Sequence, residues 1–449
     1  MSIKEGMRTA LNEIRETSIG NNTLYAKYID EIQPDTDIGS WSAPILAMPE
    51  LLNDFMNQLV QRIVYTQVDT KLFNNPLQVL EGENLPLGSI GQEIFINPAR
   101  GRKFNVDDFA GLLAKYEADV KVQYHHLNSD IQYPVTITRA KIKDAFVSWE
   151  NLESFISGIT QSLYNGAYID RYNMTKGLVA SAYAGNNIQI EVINAITSED
   201  YAKAFIKKAR TMFLNMQTPT SRYNAWNKVG GYGREIITWS DPTDIVFLIR
   251  NDIAGEIDVD VLASAFNVDK TILLGNVIYV NDFNEYDNKG NIIYDGSKII
   301  GMIADKNWFK IKPQELTMDE FYNANNRTWQ MYLNDVRMYS YSLFANAVVF
   351  ATEMPTVTAT AIEFVDDTLV ELTEGGKTTR KVALTPANAT STVTFSSSDA
   401  TIVKATKLDN RTVELEGIGT DADSVNITAT TETTLTDTIQ AKCVWRNLK

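Results

Sequence analysis

The clearest periodic stretch runs from about Ala145 to Ala184. Leu152, Phe155, Ile156, Ile159 and Leu163 fall at i, i+3, i+4, i+7 and i+11, which is one face of a helix. A helix of that length exceeds what a small domain needs, so the pattern predicts a rod on which sheets are mounted. Gly158, Gly166 and Gly177 interrupt it at modest cost in helix propensity.

Upstream, Val64–Thr70 and Glu93–Ile96 read as two long strands joined by a protruding turn region that carries Asn75-Pro76, Gly82, Pro86-Leu-Gly88 and Gly91. Few residues there can build a private core, so the arm is expected to bury its apolar surface against another chain. Gly82, Gly88, Gly91 and Gly101 are expected to act as hinges that let the loop tilt. Downstream, Ile245–Ile249 and Val277–Val280 are uninterrupted apolar runs of buried-strand length. Between them Val259–Phe266 predicts a short helix capped by Asp258 or Asp260. Asp287–Asn291 is a hairpin turn, with Ile292–Tyr294 as the returning strand. Thr328 to about Phe350 is aromatic-rich; Trp329, Tyr332, Met338, Tyr339, Tyr341 and Phe344 predict a strand pair or a helix packed on the rod.

Residue usage changes at Met354-Pro355. All 20 tyrosines and 12 methionines precede Pro355, and the 95 residues from there on hold 22 threonines and only three aromatics, Phe364, Phe395 and Trp445. Such a change of core-building residues predicts a domain boundary, giving 1–354 and 355–449. In the tail, Ala361–Val365, Lys381–Leu384, Thr392–Phe395, Arg411–Leu415 and Ser424–Ala429 alternate apolar with polar residues between turn-forming clusters. Short strands at that spacing predict a two-sheet all-β sandwich.

The chain has 449 residues, 44% of them hydrophobic and 22% charged, an ordinary globular balance, and its formal net charge is −15. An acidic surface repels phosphate and argues against a dedicated nucleic-acid binder. One cysteine, Cys443, allows no intramolecular disulfide, and two adjacent histidines, His125 and His126, leave little for histidine catalysis. No uncharged apolar run is long enough to span a membrane, and the opening residues lack the apolar core of a secretion signal, so a soluble chain made in the cytosol is expected.

Candidate chemistry is sparse. Asp252, Glu256, Asp258 and Asp260 lack the calcium-loop pattern and read as helix caps and a solvated turn. Gly230-Gly231-Tyr232-Gly233 lacks the spacing of a phosphate cradle and reads as a loop. Lys203, Lys207, Lys208 and Arg210 form a basic helical edge beside Phe205 and Ile206, either a solvated face or a contact for an acidic partner. No catalytic, cofactor-binding or metal-ligating residue is assigned.

Several blocks, in order, carry a resemblance. Lys143–Phe155 is similar to the opening of the long helix in the major capsid protein family of phi-29-like short-tailed phages. Glu256–Ala263, Ala265–Asn267 and Leu274–Val277 resemble a second block of that family, Phe344–Val348 the end of its shell domain, and Asn75–Leu77 with Pro86–Gly88 its extended loop. The resemblance implies an α+β, Hong Kong-type tailed-phage capsid fold: an N-terminal arm and helix (1–63), an extended loop (64–104), and peripheral and axial domains built on a spine helix (105–354). The tail, through Thr385–Thr390, Val393–Asp399, Gly417–Thr420 and Val425–Thr430, resembles bacterial immunoglobulin-like group 2 modules.

What the family implies is a structural, non-enzymatic protein of the virion that self-assembles into an icosahedral or prolate head around double-stranded DNA. The implied partners are copies of itself as pentamers and hexamers, a scaffolding protein, the portal, and packaged DNA touched only non-specifically, with no membrane and no cofactor. Alternatives left open by the residues are a carbohydrate-active enzyme or a surface adhesin with an accessory immunoglobulin-like module.

Overall fold

The computed structural model of the chain describes residues 3–21, 27–63, 73–86, 88, 90–101, 103, 115–197, 199–229, 235–256, 277–287, 289–419 and 424–444. The expected strand at Val64–Thr70, the expected helix at Val259–Phe266 with its Asp258 and Asp260 caps, and the loop Gly230–Gly233 lie outside them.

In chain order, helices α1 (Ile3–Asn21), α2 (Ile38–Ala47) and α3 (Pro49–Ile63) are followed by a 3-10 turn at Pro76–Leu80 and strands β1 (Gly91–Ile96), β2 (Val120–His125) and β3 (Ser129–Thr138). Then come α4 (Arg139–Ala145), the long α5 (Trp149–Ala184), β4 (Gln189–Val192), α6 (Glu199–Met216), β5 (Ile245–Arg250) and β6 (Val277–Val280). A small hairpin of β7 (Glu285–Tyr286) and β8 (Ile292–Tyr294) leads to β9 (Ile299–Asp305), β10 (Phe309–Asn323), β11 (Thr328–Tyr341) and β12 (Ala347–Ala351). The remaining elements are strands: β13 (Ala361–Phe364), β14 (Val370–Leu372), β15 (Lys377–Thr385), β16 (Val393–Ser397), β17 (Val403–Lys407), β18 (Thr412–Gly417), β19 (Val425–Thr431) and β20 (Thr436–Cys443).

Two compact units result. The first gathers Met1–Gln92, Tyr124–Thr175 and Lys310–Ser340. Its three-stranded sheet has the order β10-β11-β3, with β11 and β3 antiparallel from Thr328↔Thr138 to Arg337↔Ser129. The apolar stripe of α5 packs as its spacing predicts: Leu152, Ile159 and Leu163 are buried, with Phe155 and Ile156 resting on the same core. That core also holds Leu11, Ile14, Trp41, Leu51 and Phe55, so the N-terminal helices pack on the chain's own core. The cause is amphipathicity: Leu51, Leu52, Phe55, Met56 and Leu59 line one side of α3 and have water-free partners in Phe146 and Leu152. Asn12 reinforces the fold by bonding the backbone N–H of Ile32 at 2.8 Å and its carbonyl at 3.1 Å.

The turn region is also partly corrected. Asn75 caps the 3-10 turn, Leu77, Leu80 and Leu85 are buried, and the backbone N–H groups of Gly82 and Leu85 donate to Ile311 and Pro313, both at 2.8 Å. Residues 75–85 therefore bond to the chain's own β10 through their backbone and bury their leucines instead of protruding. Gly91 is no free hinge: a Cβ there would lie 3.0 Å from the sulfur of Met338 and 3.1 Å from His125 Cβ. Strand β1 pairs with β2.

The second unit comprises Glu93–Gln123, Lys176–Phe309 and Tyr341–Lys449. Its five-stranded sheet runs β4-β12-β9-β5-β6, with β4 and β6 parallel to their neighbours and β9 antiparallel to both β12 and β5. Helix α6 lays Phe205, Ile206, Ala209 and Phe213 on it, against Phe247, Ile303 and Phe350. The aromatic segment 328–350 resolves into strands β11 and β12, in two different sheets, and not into a helix. Gly177 of α5 is a packing position: a Cβ would meet a Glu285 carboxylate oxygen at 2.6 Å.

Past Ala351 two four-stranded sheets, β13-β15-β18-β17 and β14-β20-β19-β16, share one apolar core that includes Ile362, Leu384, Val413, Ile427 and Ile439. The expected strands are present; β14, β17 and β20 carry weaker alternation and escape a reading of the sequence. Cys443 is buried, and burial raises its thiol pKa.

Candidate functional site

The residues singled out for chemistry end up in structural roles. His125 is buried, with Nδ1 2.7 Å from the Ser340 hydroxyl, while His126 is exposed. Asp252 is held by a bidentate pair with Arg250, Nε–Oδ1 2.6 Å and Nη2–Oδ2 2.7 Å, which keeps its carboxyl below the usual range. No group of three or more His, Cys, Asp or Glu suited to a metal is found among the described residues. Among them, no helix is long and apolar enough to cross a membrane.

What the structure does assemble is a set of buried charges that sequence reasoning missed. Along β11 every second side chain faces inward: Trp329, Met331 and Leu333, then Asp335 and Arg337. Asp335 accepts from Arg171 Nε of α5 at 2.7 Å and from Arg337 Nε at 2.7 and 3.0 Å, and Arg337 reaches Glu81 at 2.9 Å. A strand, the long helix and the segment after the 3-10 turn are thereby tied at one point. In the second unit Lys176, fully buried, donates to Asp282 at 2.8 Å and Asn281 at 3.1 Å. A signal existed in the sequence: charged residues at the inward phase of an otherwise apolar alternation.

Glu320 of β10 is half-buried, with Oε2 enclosed and lacking a hydrogen-bond partner, and burial lifts its carboxyl to about 7. Because the folded value lies above the unfolded one, its contribution to stability is complete below about pH 4.5 and is lost as pH rises through 7. Glu320→Gln is expected to flatten that loss and raise the melting temperature at pH 8. Allowing for solvent screening, the gain is on the order of 1 kcal/mol. Thermal melts of both proteins at pH 4.5 and pH 8 check this; parallel curves would refute it.

The surface carries the rest of the functional information. In the two-stranded β1–β2 sheet, Phe95 stacks on Phe344 at 5.6 Å and Glu93 accepts from the Ser342 hydroxyl at 2.9 Å. The opposite face leaves Ile94, Ile96 and Val120 open to water, about half or more of each exposed. The basic edge lies on α6, with Lys203, Lys207 and Lys208 exposed and Lys208 paired with Glu191. The C-terminal strands join their unit through a polar clasp. Asn186 donates to the Asn388 carbonyl at 2.7 Å, and Asn388 donates to the Asn187 side chain at 2.7 Å. Beside it Lys228 bonds the Ile188 carbonyl at 2.8 Å; burial, aided by Arg411, lowers its amine to about 8.

With these buried charge knots and open apolar strips described, the chain can be set beside known proteins. Residues 11–351 match the family model of the Phi29-like phage major capsid protein. The major capsid protein of Bacillus phage B103 is 31% identical over 354 residues, 78% of this chain and 74% of that protein. That of Bacillus phage PZA is 28% identical over 387 residues, 83% and 82% of the two chains. Among solved structures, the capsid of Staphylococcus phage Andhra superposes with a TM-score of 0.51 at 14% identity, over 64% of this chain and 88% of that one. At that identity the likeness shows the fold alone, and it is the tailed-phage capsid fold the resemblance implied. The enzyme and adhesin alternatives find no support in these matches. The chain belongs to the Phi29-like phage major capsid protein family, and its role is structural, in the capsid of the virion.

Proposed function

We propose that this chain packs as pentamers and hexamers into an icosahedral or prolate head that encloses double-stranded DNA. The observation that carries the reading is the family match over 11–351 taken together with the uncovered Ile94, Ile96 and Val120 on β1–β2. A strip of aliphatic side chains on a thin two-stranded sheet has no core of its own, and burial of each such side chain is worth about 1.5–3 kcal/mol. A closed shell supplies the covering surface in neighbouring copies, through many modest contacts that close about rotation axes. Residues 1–63 form the N-terminal segment, 64–104 the extended loop and 105–354 the peripheral and axial domains of the shell. A net charge of −15 supports loose, non-specific contact with packaged DNA, and a scaffolding protein and the portal are the further partners.

Residues 355–449 form a separate immunoglobulin-like module that faces outward and is dispensable for closing the shell. Support comes from its self-contained apolar core and from its attachment through the Asn186–Asn388 clasp. The test is negative-stain microscopy and sedimentation of the full chain and of a chain ending at Met354, each co-expressed with the phage's own head-assembly proteins. Shell-sized particles or capsomers from both are expected. A full chain that stays monomeric would sink the shell reading; a folded truncated chain that never forms particles would sink the outward, dispensable module.

A further inference from the structure

We propose a specific contact between copies, in which the β7–β8 hairpin of one subunit seats in the groove between α6 and edge strand β4 of the next. The inference rests on the shell reading and names one of its interfaces.

The groove has a volume of about 560 Å³ and is lined by Val192, Ile193, Tyr201 and Met212, with Lys207 and Lys208 on its rim. Val192 and Tyr201 are exposed, so apolar surface stands open there. The hairpin presents the converse. Asn291 to Asp295 are five successive exposed residues, and three of them, Ile292, Ile293 and Tyr294, are large and apolar. A run of exposed apolar residues of this length is a liability in a lone molecule and marks a surface that is covered in use.

Charge matches as well. The hairpin carries Asp287 and Asp295 against one lysine, Lys289, and both carboxyls are held below their ordinary range by hydrogen bonds at the turn, from Asn291 and Ser297 respectively. At the groove, Lys208 is paired with Glu191, which also lines it, and Lys207 stands exposed beside them. Hairpin carboxylates that can meet Lys207, together with open apolar side chains on both surfaces, favour a second copy of this chain as the occupant.

Topology supplies the geometry. The groove lies beside β4, one edge of the five-stranded sheet, whereas the hairpin packs on the C-terminal part of α5, with Glu285 against Gly177 and the Lys176 ammonium over the Tyr286 ring. Two different patches of one unit form a head-to-tail contact, and such contacts generate rings when the rotation closes.

The test uses the full chain in its assembled form. Ile293→Cys/Lys207→Cys particles treated with a short bismaleimide are expected to give a covalent ladder from dimers to hexamers. Either single variant should give none, since Cys443 is buried. In parallel, Ile293→Asp is expected to cut capsomer yield at least tenfold while leaving the monomer's thermal melt unchanged, because the side chain is half exposed. Mixing the two single-cysteine proteins before assembly should give a dimer band, which covers the case of a double variant that assembles poorly. Particles with no ladder and no mixed dimer, or an undiminished yield from Ile293→Asp, would overturn the contact. Wild-type chain that makes no capsomer at all would instead overturn the shell reading.

Discussion

Asp335→Ala is expected to destabilise the first unit by about 3–5 kcal/mol, the range for breaking a buried ion pair by removing one partner. The reason is the company Asp335 keeps. It is 3% exposed, and it is the shared acceptor for Arg171 at 6% and Arg337 at 5%. Deleting the carboxylate leaves two guanidinium groups enclosed, one of which retains only Glu81 as an acidic partner in this network. Neither arginine can shed its proton to relieve the cost. Asp335→Asn should fare little better despite its shape, since its amide N–H₂ would face a guanidinium N–H where a carboxylate oxygen now accepts. The control is Asp130→Ala on the neighbouring strand, an exposed position where about 0.5 kcal/mol or less is expected. Urea denaturation of the three variants, followed by tryptophan fluorescence, makes the comparison. A loss at Asp335 no larger than at Asp130 would mean the knot contributes nothing to the fold.

That knot also shows where a sequence reading stops. The spine helix was legible because one apolar stripe, Leu152 to Leu163, repeats at helical spacing, and long amphipathic periods leave little ambiguity. Strand β5 was legible because Ile245–Ile249 is too short and too apolar for anything but a buried strand. In β11 the same alternation continues from Trp329 through Leu333 into Asp335 and Arg337, but a charged residue reads as outward until its partner on another element is known. Aromatic density added to the ambiguity: Tyr332 falls on the outward phase, so the period of two was diluted and a helix remained open.

The N-terminal helices illustrate a different limit. Their apolar stripe is as regular as that of the spine. Whether such a face covers a neighbour or its own chain is decided by tertiary partners such as Phe146 and Leu152, far away in sequence. The residues after Asn75 meet the same limit: Gly and Pro mark the turns, but the backbone bonds from Gly82 and Leu85 to β10 exist only in three dimensions. The groove and the exposed hairpin were partly legible, as a basic edge on a predicted helix and as a predicted turn. Their complementarity depends on which side chains the fold leaves exposed, which no local pattern encodes.

Phe350→Ala is expected to cost the second unit about 3–5 kcal/mol, the range for a buried aromatic cut back to a methyl. Phe350 is fully buried on β12, in register with Glu191 of β4. Its ring meets Phe205 of α6 edge-on at 5.1 Å and Phe247 of β5 at 6.5 Å, both near 89°. It therefore joins the helix to the sheet, and edge-to-face pairs add about 0.5–1.5 kcal/mol each beyond the area they bury. A leucine at this position keeps most of the volume and should lose less, on the order of 1–2 kcal/mol. The loss should also be local. Amide exchange in α6 is expected to accelerate in the alanine variant, while β13 to β20, whose core shares none of these rings, should keep wild-type protection. Since α6 forms one wall of the groove that takes the hairpin, capsomer yield should fall with it, and more steeply than for a substitution of equal cost in the C-terminal sandwich, such as Ile427→Ala. Equal yields from these two variants at matched stability would separate the packing of α6 from assembly and leave Phe350 a residue of the fold alone.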